Sequence, residues 1–191
     1  MLTTAGLRTR RTTALALLLS VAALVAAATA SADNALVTGT ITGGSLSEVT
    51  TAAPSFSVTL NGSDQTPTYT LPMTVTDARG TGAGWNVTIT STQFSTGAGG
   101  NTLATNASSV QSVSSTCVSG STCTNPTNTV TYPLTLPAGT TPPTAVKLFN
   151  SATNTGMGKF TVTPTVGVFV PANTFAGTYT STVTLAVVSG P

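Results

Sequence analysis

From residue 56 onward, apolar positions recur at every second residue in a series of short runs. Phe56, Val58 and Leu60 alternate in "PSFSVTL", and Tyr69, Leu71, Met73 and Val75 alternate in "TYTLPMTVT". Trp85, Val87 and Ile89 follow, then Val130, Tyr132, Leu134 and Leu136. Phe160 and Val162 open a run continued by Val166, Val168 and Val170, and Tyr179, Val183, Leu185 and Val187 form the last one. A period of two puts alternate side chains on one face of a strand, so each run predicts a half-buried β-strand. Clusters of Gly, Pro, Asn and Ser divide the runs at turn-like spacing. No helical period is sustained beyond the first thirty or so residues, although "SSVQSVSS" fits a short helix or a strand.

Many short strands without interleaved helices predict an all-β fold, a single-domain antiparallel β-sandwich of Ig-like or Greek-key type. Pro72 and Pro133 fall inside apparent strands and place those segments at edges or bulges. Residues 97–129 carry the weakest pattern and predict a long, partly irregular excursion. A glycosylated, mucin-like stalk would also be rich in Ser and Thr, but it has no reason to alternate Trp, Tyr, Phe and Val with them.

The amino end reads differently. "RTRRTTALALLLSVAALVAAATASA" has the layout of a secretory signal, with Arg8, Arg10 and Arg11 before an apolar run and small residues after it. Cleavage is expected after Ala32, with Ala30 the neighbouring choice, which divides the chain into a signal peptide at 1–32 and one domain at 33–191. The alanine-rich run points to a bacterial source. Nothing after it has the apolar length of a membrane span, so no membrane insertion is expected once the signal is removed. The carboxyl end carries no sortase-type signal, and retention at a surface is expected to be non-covalent.

Losing the signal changes the charge. The whole chain carries six cations and four carboxylates, for a net +2. Residues 33–191 keep Arg79, Lys147 and Lys159 against Asp33, Glu48, Asp64 and Asp77, three cations against four carboxylates and a net −1. Nucleic-acid binding needs clustered Lys and Arg, so no such partner is expected. Only 5% of the residues are charged, where an average soluble domain has about 25%. The surface is therefore expected to be neutral, built of Thr, Ser, Asn and Gly.

Candidate chemistry is sparse. The chain has no histidine, which removes the commonest general base and metal ligand. The acidic residues are far apart in sequence; Asp64 and Asp77 could converge as a carboxylate pair, but Asp77 precedes a Gly-rich turn where Asp is common for turn geometry alone. No catalytic residue, metal or cofactor is expected. "GTGAG" lacks the spacing of a phosphate loop and reads as turn glycines. Cys117 and Cys123, across a Ser/Gly turn in an exported chain, predict a disulfide closing a short loop; a redox pair would favour CxxC spacing.

Two segments carry a resemblance. "VTDARGTGAGWNVTITSTQF", residues 75–94, holds an Asp-x-Arg-Gly turn, a glycine before tryptophan, and a following Gln-Phe. "FVPANTFAGTYTSTVTLAVVSGP", residues 169–191, holds Val-Pro, Ala-Gly-Thr-Tyr and a terminal proline. In this order and spacing they resemble the proximal and distal motifs of the WxL domain of bacterial surface proteins. The matching positions include Trp85, Val87, Tyr179, Leu185, Val187 and Pro191. Here Trp85-Asn86-Val87 and Leu185-Ala186-Val187 stand where the family has Trp-x-Leu, so the chain resembles a divergent member without the second tryptophan. The resemblance implies non-covalent attachment to the peptidoglycan of a Gram-positive cell wall and partnership with other surface proteins.

Trp85 then has two readings. As core, it forms one apolar stripe with Val87 and Ile89, facing a second stripe of Val183, Leu185 and Val187 across the sandwich. As a ligand platform, its ring stacks on a wall glycan with Arg79, Asn86 and Asp77 supplying polar contacts. Asp77 and Arg79 can instead simply pair with each other. The chain as a whole is expected to be a secreted, non-enzymatic protein of the cell wall or outer surface, binding peptidoglycan or another wall glycan. Alternatives are a structural subunit assembling through its β edges, and a carbohydrate-binding module.

Overall fold

The structure, a computed structural model, describes residues 34–50 and 52–191. The expected signal peptide lies outside the described residues. Residues 34–40 belong to no strand and are exposed. From residue 41 the chain forms two β-sheets packed face to face, with no helix among the described residues.

The larger sheet contains β1 (Leu46–Thr50), β2 (Thr68–Thr70), β3 (Met73–Asp77), β5 (Ser108–Cys117), β6 (Leu134–Thr135) and β9 (Gly158–Val168). Its order is β1-β3-β9-β5-β6, with β2 also lying against β9. The smaller sheet contains β4 (Trp85–Thr92), β7 (Ala138–Gly139), β8 (Val146–Ser151) and β10 (Val183–Ser189). There β4 is central, with β10 along one edge and β7 and β8 along the other. Every pairing is antiparallel except the two-residue β4–β7 contact.

Alternation explains the core. Met73 and Val75 on β3, and Phe160, Val162, Val166 and Val168 on β9, are buried from one sheet; Trp85, Val87 and Ile89 on β4 are buried from the other. On β8 the alternation breaks, because the register shifts between Val87 and Thr88: Val87 faces Phe149 and Thr88 faces Lys147. Leu148 is the extra residue of this bulge, so Leu148 and Phe149 are buried side by side.

Pro164 occupies the middle of a central strand, where a missing N–H normally breaks the ladder. Its carbonyl accepts from the Leu71 N–H at 3.0 Å. The N and O of one strand residue point the same way, so the position of the absent N–H faces the Leu71-Pro72 gap between β2 and β3. Two prolines thus share one interruption. Pro72 lies in that gap and Pro133 precedes the two-residue strand β6.

Several expectations change. The alternating run Phe56–Leu60 is no strand: residues 52–60 make no backbone–backbone hydrogen bond among the described residues. Of the apolar positions Val130, Tyr132, Leu134 and Leu136, only Leu134 enters a strand, and Tyr179 precedes β10. Conversely, "SSVQSVSS" lies in the ten-residue β5, so the 97–129 stretch is regular over 108–117 and irregular on either side. The extra residue Gln111, at the shift between Val110 and Ser112, divides the period of β5 and hides it from a simple count. Cys117 and Cys123 form a disulfide at the end of β5.

Candidate functional site

The two motif segments meet. β4 and β10 are hydrogen-bonded neighbours, with Trp85 opposite Ser189, Val87 opposite Val187 and Ile89 opposite Leu185. The stripes expected to face each other across the sandwich therefore lie side by side on one sheet. Because paired residues of an antiparallel ladder point to the same face, Val183, Leu185 and Val187 extend the apolar surface of β4 toward the edge. They are half-buried there, whereas Trp85, Val87 and Ile89 are fully buried.

Loop 78–84 enters β4 through Gly80, Gly82 and Gly84, whose φ angles are 68°, 64° and 71°. This left-handed region explains a glycine at every second position of "GTGAG". The Gly82 carbonyl accepts from the Asn154 N–H at 2.7 Å, and a side chain at Gly84 would run into the Ser151 carbonyl. The loop is thus seated on the turn that leads from β8 across to β9 in the other sheet.

Arg79 forms a clamp beneath this loop. Its Nε and Nη2 each donate to a carboxylate oxygen of Asp77 at 2.8 Å, Nη2 also donates to the Gly84 carbonyl at 2.7 Å, and Nη1 donates to Ser189 Oγ at 2.5 Å. The Asp77 carboxylate is almost fully buried. The guanidinium's hydrogen bonds hold its pKa below the usual carboxylate range, against the opposing effect of burial, and Asp77 in turn raises that of Arg79. Asn86 adds a parallel tie: its Nδ2 donates to the Gly190 carbonyl at 2.8 Å, while the Gly190 N–H donates to the Gly84 carbonyl. The candidate polar contacts Asp77, Arg79 and Asn86 are therefore brought together, each with its hydrogen bonds directed within the protein.

Trp85 is fully buried, at 0% exposure. Its indole N–H donates to the Gly156 carbonyl at 2.9 Å, and its ring lies against Phe149 and Phe160 at centroid distances of 5.8 and 6.5 Å. No face is presented to solvent, so a stacking platform is not found at this ring. Gly156, with φ 68°, permits the close approach: a Cβ there would come within 2.7 Å of Trp85 Nε1.

A second feature lies toward the opposite end of the sandwich. A groove of about 980 Å³ is lined by segment 52–60, by residues 174–183 and by Leu185, over the buried Tyr69, Leu71, Leu103 and Val170. Tyr179 stands in its wall and donates to the Phe175 carbonyl at 3.0 Å. Burial pushes the Tyr69 phenol up to about 12. No charged side chain lines the groove. The sequence signal for it was the alternation of Phe56, Val58 and Leu60; the clamp had none, because it joins residues more than a hundred positions apart.

Among the described residues no group of three His, Cys, Asp or Glu side chains converges as a metal site, and no helix is long and apolar enough to cross a membrane. Neither the curated proteins nor the solved structures contain a match to this chain. A family model does match, over residues 35–191; it describes the WxL domain as a surface, cell-wall-binding domain. That span includes the proximal segment, the distal segment and the clamp that joins them. The chain belongs to the WxL domain family.

Proposed function

We propose that this chain is a secreted, non-enzymatic surface protein that holds to peptidoglycan without a covalent bond, within an assembly of several proteins. Residues 1–32 serve as its signal peptide and 33–191 as the wall-binding domain. The observation that carries this reading is the family match across residues 35–191. The scarcity of charge supports it, because a hydroxyl-rich neutral surface suits a glycan and gives attachment little dependence on salt. Against catalysis, Asp77 is held ionised by Arg79 and is therefore a poor proton donor, and histidine is absent.

In this reading Asp77, Arg79, Trp85 and Asn86 are positioning residues. They fix loop 78–84, and the exposed Ala78, Gly80, Thr81 and Ala83 make the wall contact. The test is co-sedimentation of the exported protein with purified Gram-positive walls at low and high salt, with a heat-unfolded control. Retention of only the folded protein, at both salts, supports the reading; loss of retention in a folded Ala83→Glu variant supports the loop. Folded protein left in the supernatant overturns wall binding. An assembly role is favoured separately by the open groove.

A further inference from the structure

Among the described residues, the exposed large apolar side chains are Leu36, Val37, Ile41, Val49, Leu60, Phe169, Phe175 and Val188. Five of these eight fall in two places. Leu36, Val37 and Ile41 lie before the first strand, at 94%, 88% and 99% exposure; Leu60 and Phe175 line the groove.

Both places are incomplete as β-structure. Residues 34–43 make no backbone–backbone hydrogen bond among the described residues. Extended, they would carry Ala35, Val37, Gly39 and Ile41 on one face and Leu36, Thr38 and Thr40 on the other. In the groove, segment 52–60 lacks backbone partners, and β10 pairs with β4 alone, so its outer edge, which β1 approaches without pairing, has no strand partner near Val183 and Leu185. Unpaired edges of this kind are templates for an added strand.

We propose that residues 35–41 of one molecule add as a β-strand into the groove of a second copy, between its segment 52–60 and the open edge of β10. Neither surface carries a charge, so no repulsion or charge burial opposes the contact. Seven residues extend to roughly 23 Å, a length that fits beside a nine-residue segment. The same stretch also supplies the missing backbone partners and covers Leu60 and Phe175.

Placement favours a second copy over self-insertion. The Gly44 N–H donates to the Ala78 carbonyl, and a side chain at Gly43 would run into the Arg79 carbonyl. The arm is therefore rooted at the end of the sandwich where Leu46 faces Asp77 and Ser189 faces Trp85. The groove opens toward the other end, at Thr50 and Val183. Arm and groove are different surfaces, so the contact is head-to-tail and generates a ring or an open chain of subunits. This inference rests on the assembly half of the reading above and is independent of wall retention.

The test uses sedimentation velocity of the exported protein over a wide concentration range, with Val37→Asp disabling the arm and Phe175→Asp disabling the groove. Where Phe175→Asp fails to fold, Thr178→Arg on the exposed rim replaces it. The wild type is expected to form species larger than a monomer as concentration rises, and each variant alone to remain monomeric. An equal mixture of the two is expected to give a 1:1 dimer and nothing larger, since one intact arm meets one intact groove. A wild type that stays monomeric, a variant that associates like the wild type, or a mixture that stays monomeric overturns the proposal. Wall co-sedimentation of the Val37→Asp protein separates the two readings: retention is expected to be unchanged.

Discussion

Arg79 donates to the Ser189 hydroxyl across 110 residues of sequence, and this bond ties the proximal motif to the last strand. The same guanidinium holds the buried Asp77. Arg79→Ala leaves that carboxylate without its partner and is expected to cost about 3–5 kcal/mol. Ser189→Ala removes one solvent-exposed hydrogen bond and is expected to cost about 0.5–1.5 kcal/mol. Urea unfolding of both single variants and the double variant checks this; a double-variant loss equal to the sum of the singles would show that the two residues are not coupled.

Asp77 also sets a response to acid. Its carboxyl is held below its ordinary value in the folded protein, so the unfolded chain binds its proton first as pH falls. The stabilisation is complete above the ordinary carboxylate range near pH 4 and is lost as pH drops through the lower, folded value. Melting temperatures measured from pH 6 down to pH 2 are expected to fall more for the wild type than for Asp77→Asn, whose curve starts lower and is flatter.

Tyr69 produces the opposite limb. Burial raises its phenol from 10.0 to about 12, so the folded state keeps the proton that the unfolded state releases. Stability is intact below pH 10 and declines as pH rises toward 12. Tyr69→Phe is expected to remove this part of the alkaline loss. Phenolate absorbance of the native protein gives the check: a Tyr69 that titrates at the ordinary tyrosine value contradicts the assignment.

The Trp85 pocket depends on a glycine as much as on the ring. Trp85→Ala is expected to cost about 3–5 kcal/mol through the cavity. Gly156→Ala introduces a Cβ at a left-handed φ and against both the Ser151 side chain and the indole nitrogen, and its cost is expected to exceed the ~1 kcal/mol of backbone strain alone. Indole emission reports both states: a blue-shifted, quencher-resistant native signal accompanies a buried ring, and easy quenching in the folded protein would contradict it.

Reduction of Cys117–Cys123 is expected to be mild. The bridge spans a sequence separation of only 6, which limits chain-entropy stabilisation to about 2 kcal/mol. A paired Cys117→Ser, Cys123→Ser variant should fold and melt a few degrees lower. Failure to fold would mean that the bridge holds β5 in place.

The sequence made the fold class legible because Trp85, Val87 and Ile89 on β4, and Phe160 through Val168 on β9, obey a strict period of two. It failed where a bulge breaks that period: Leu148 and Phe149 stand together on β8, and Gln111 shifts the phase of β5. It also misled at Phe56, Val58 and Leu60, since alternation marks a surface able to pair but supplies no partner. The two motif segments were read from the sequence, but not their relation. Whether two apolar stripes face each other or lie side by side depends on strand order, which a local pattern does not encode. The Arg79–Ser189 and Asn86–Gly190 bonds were invisible for the same reason.

The pairing of β4 with β10 has a consequence in time. Asn86 and Gly190 are 104 residues apart, so during synthesis the tryptophan strand is made long before the strand that flanks it. Closing a loop of that length comes late and slowly compared with local hairpins. The smaller sheet therefore stays open on one side until residues 183–189 have been made. For the exported protein proposed above, such an order is useful, because a chain that cannot finish folding early remains threadable.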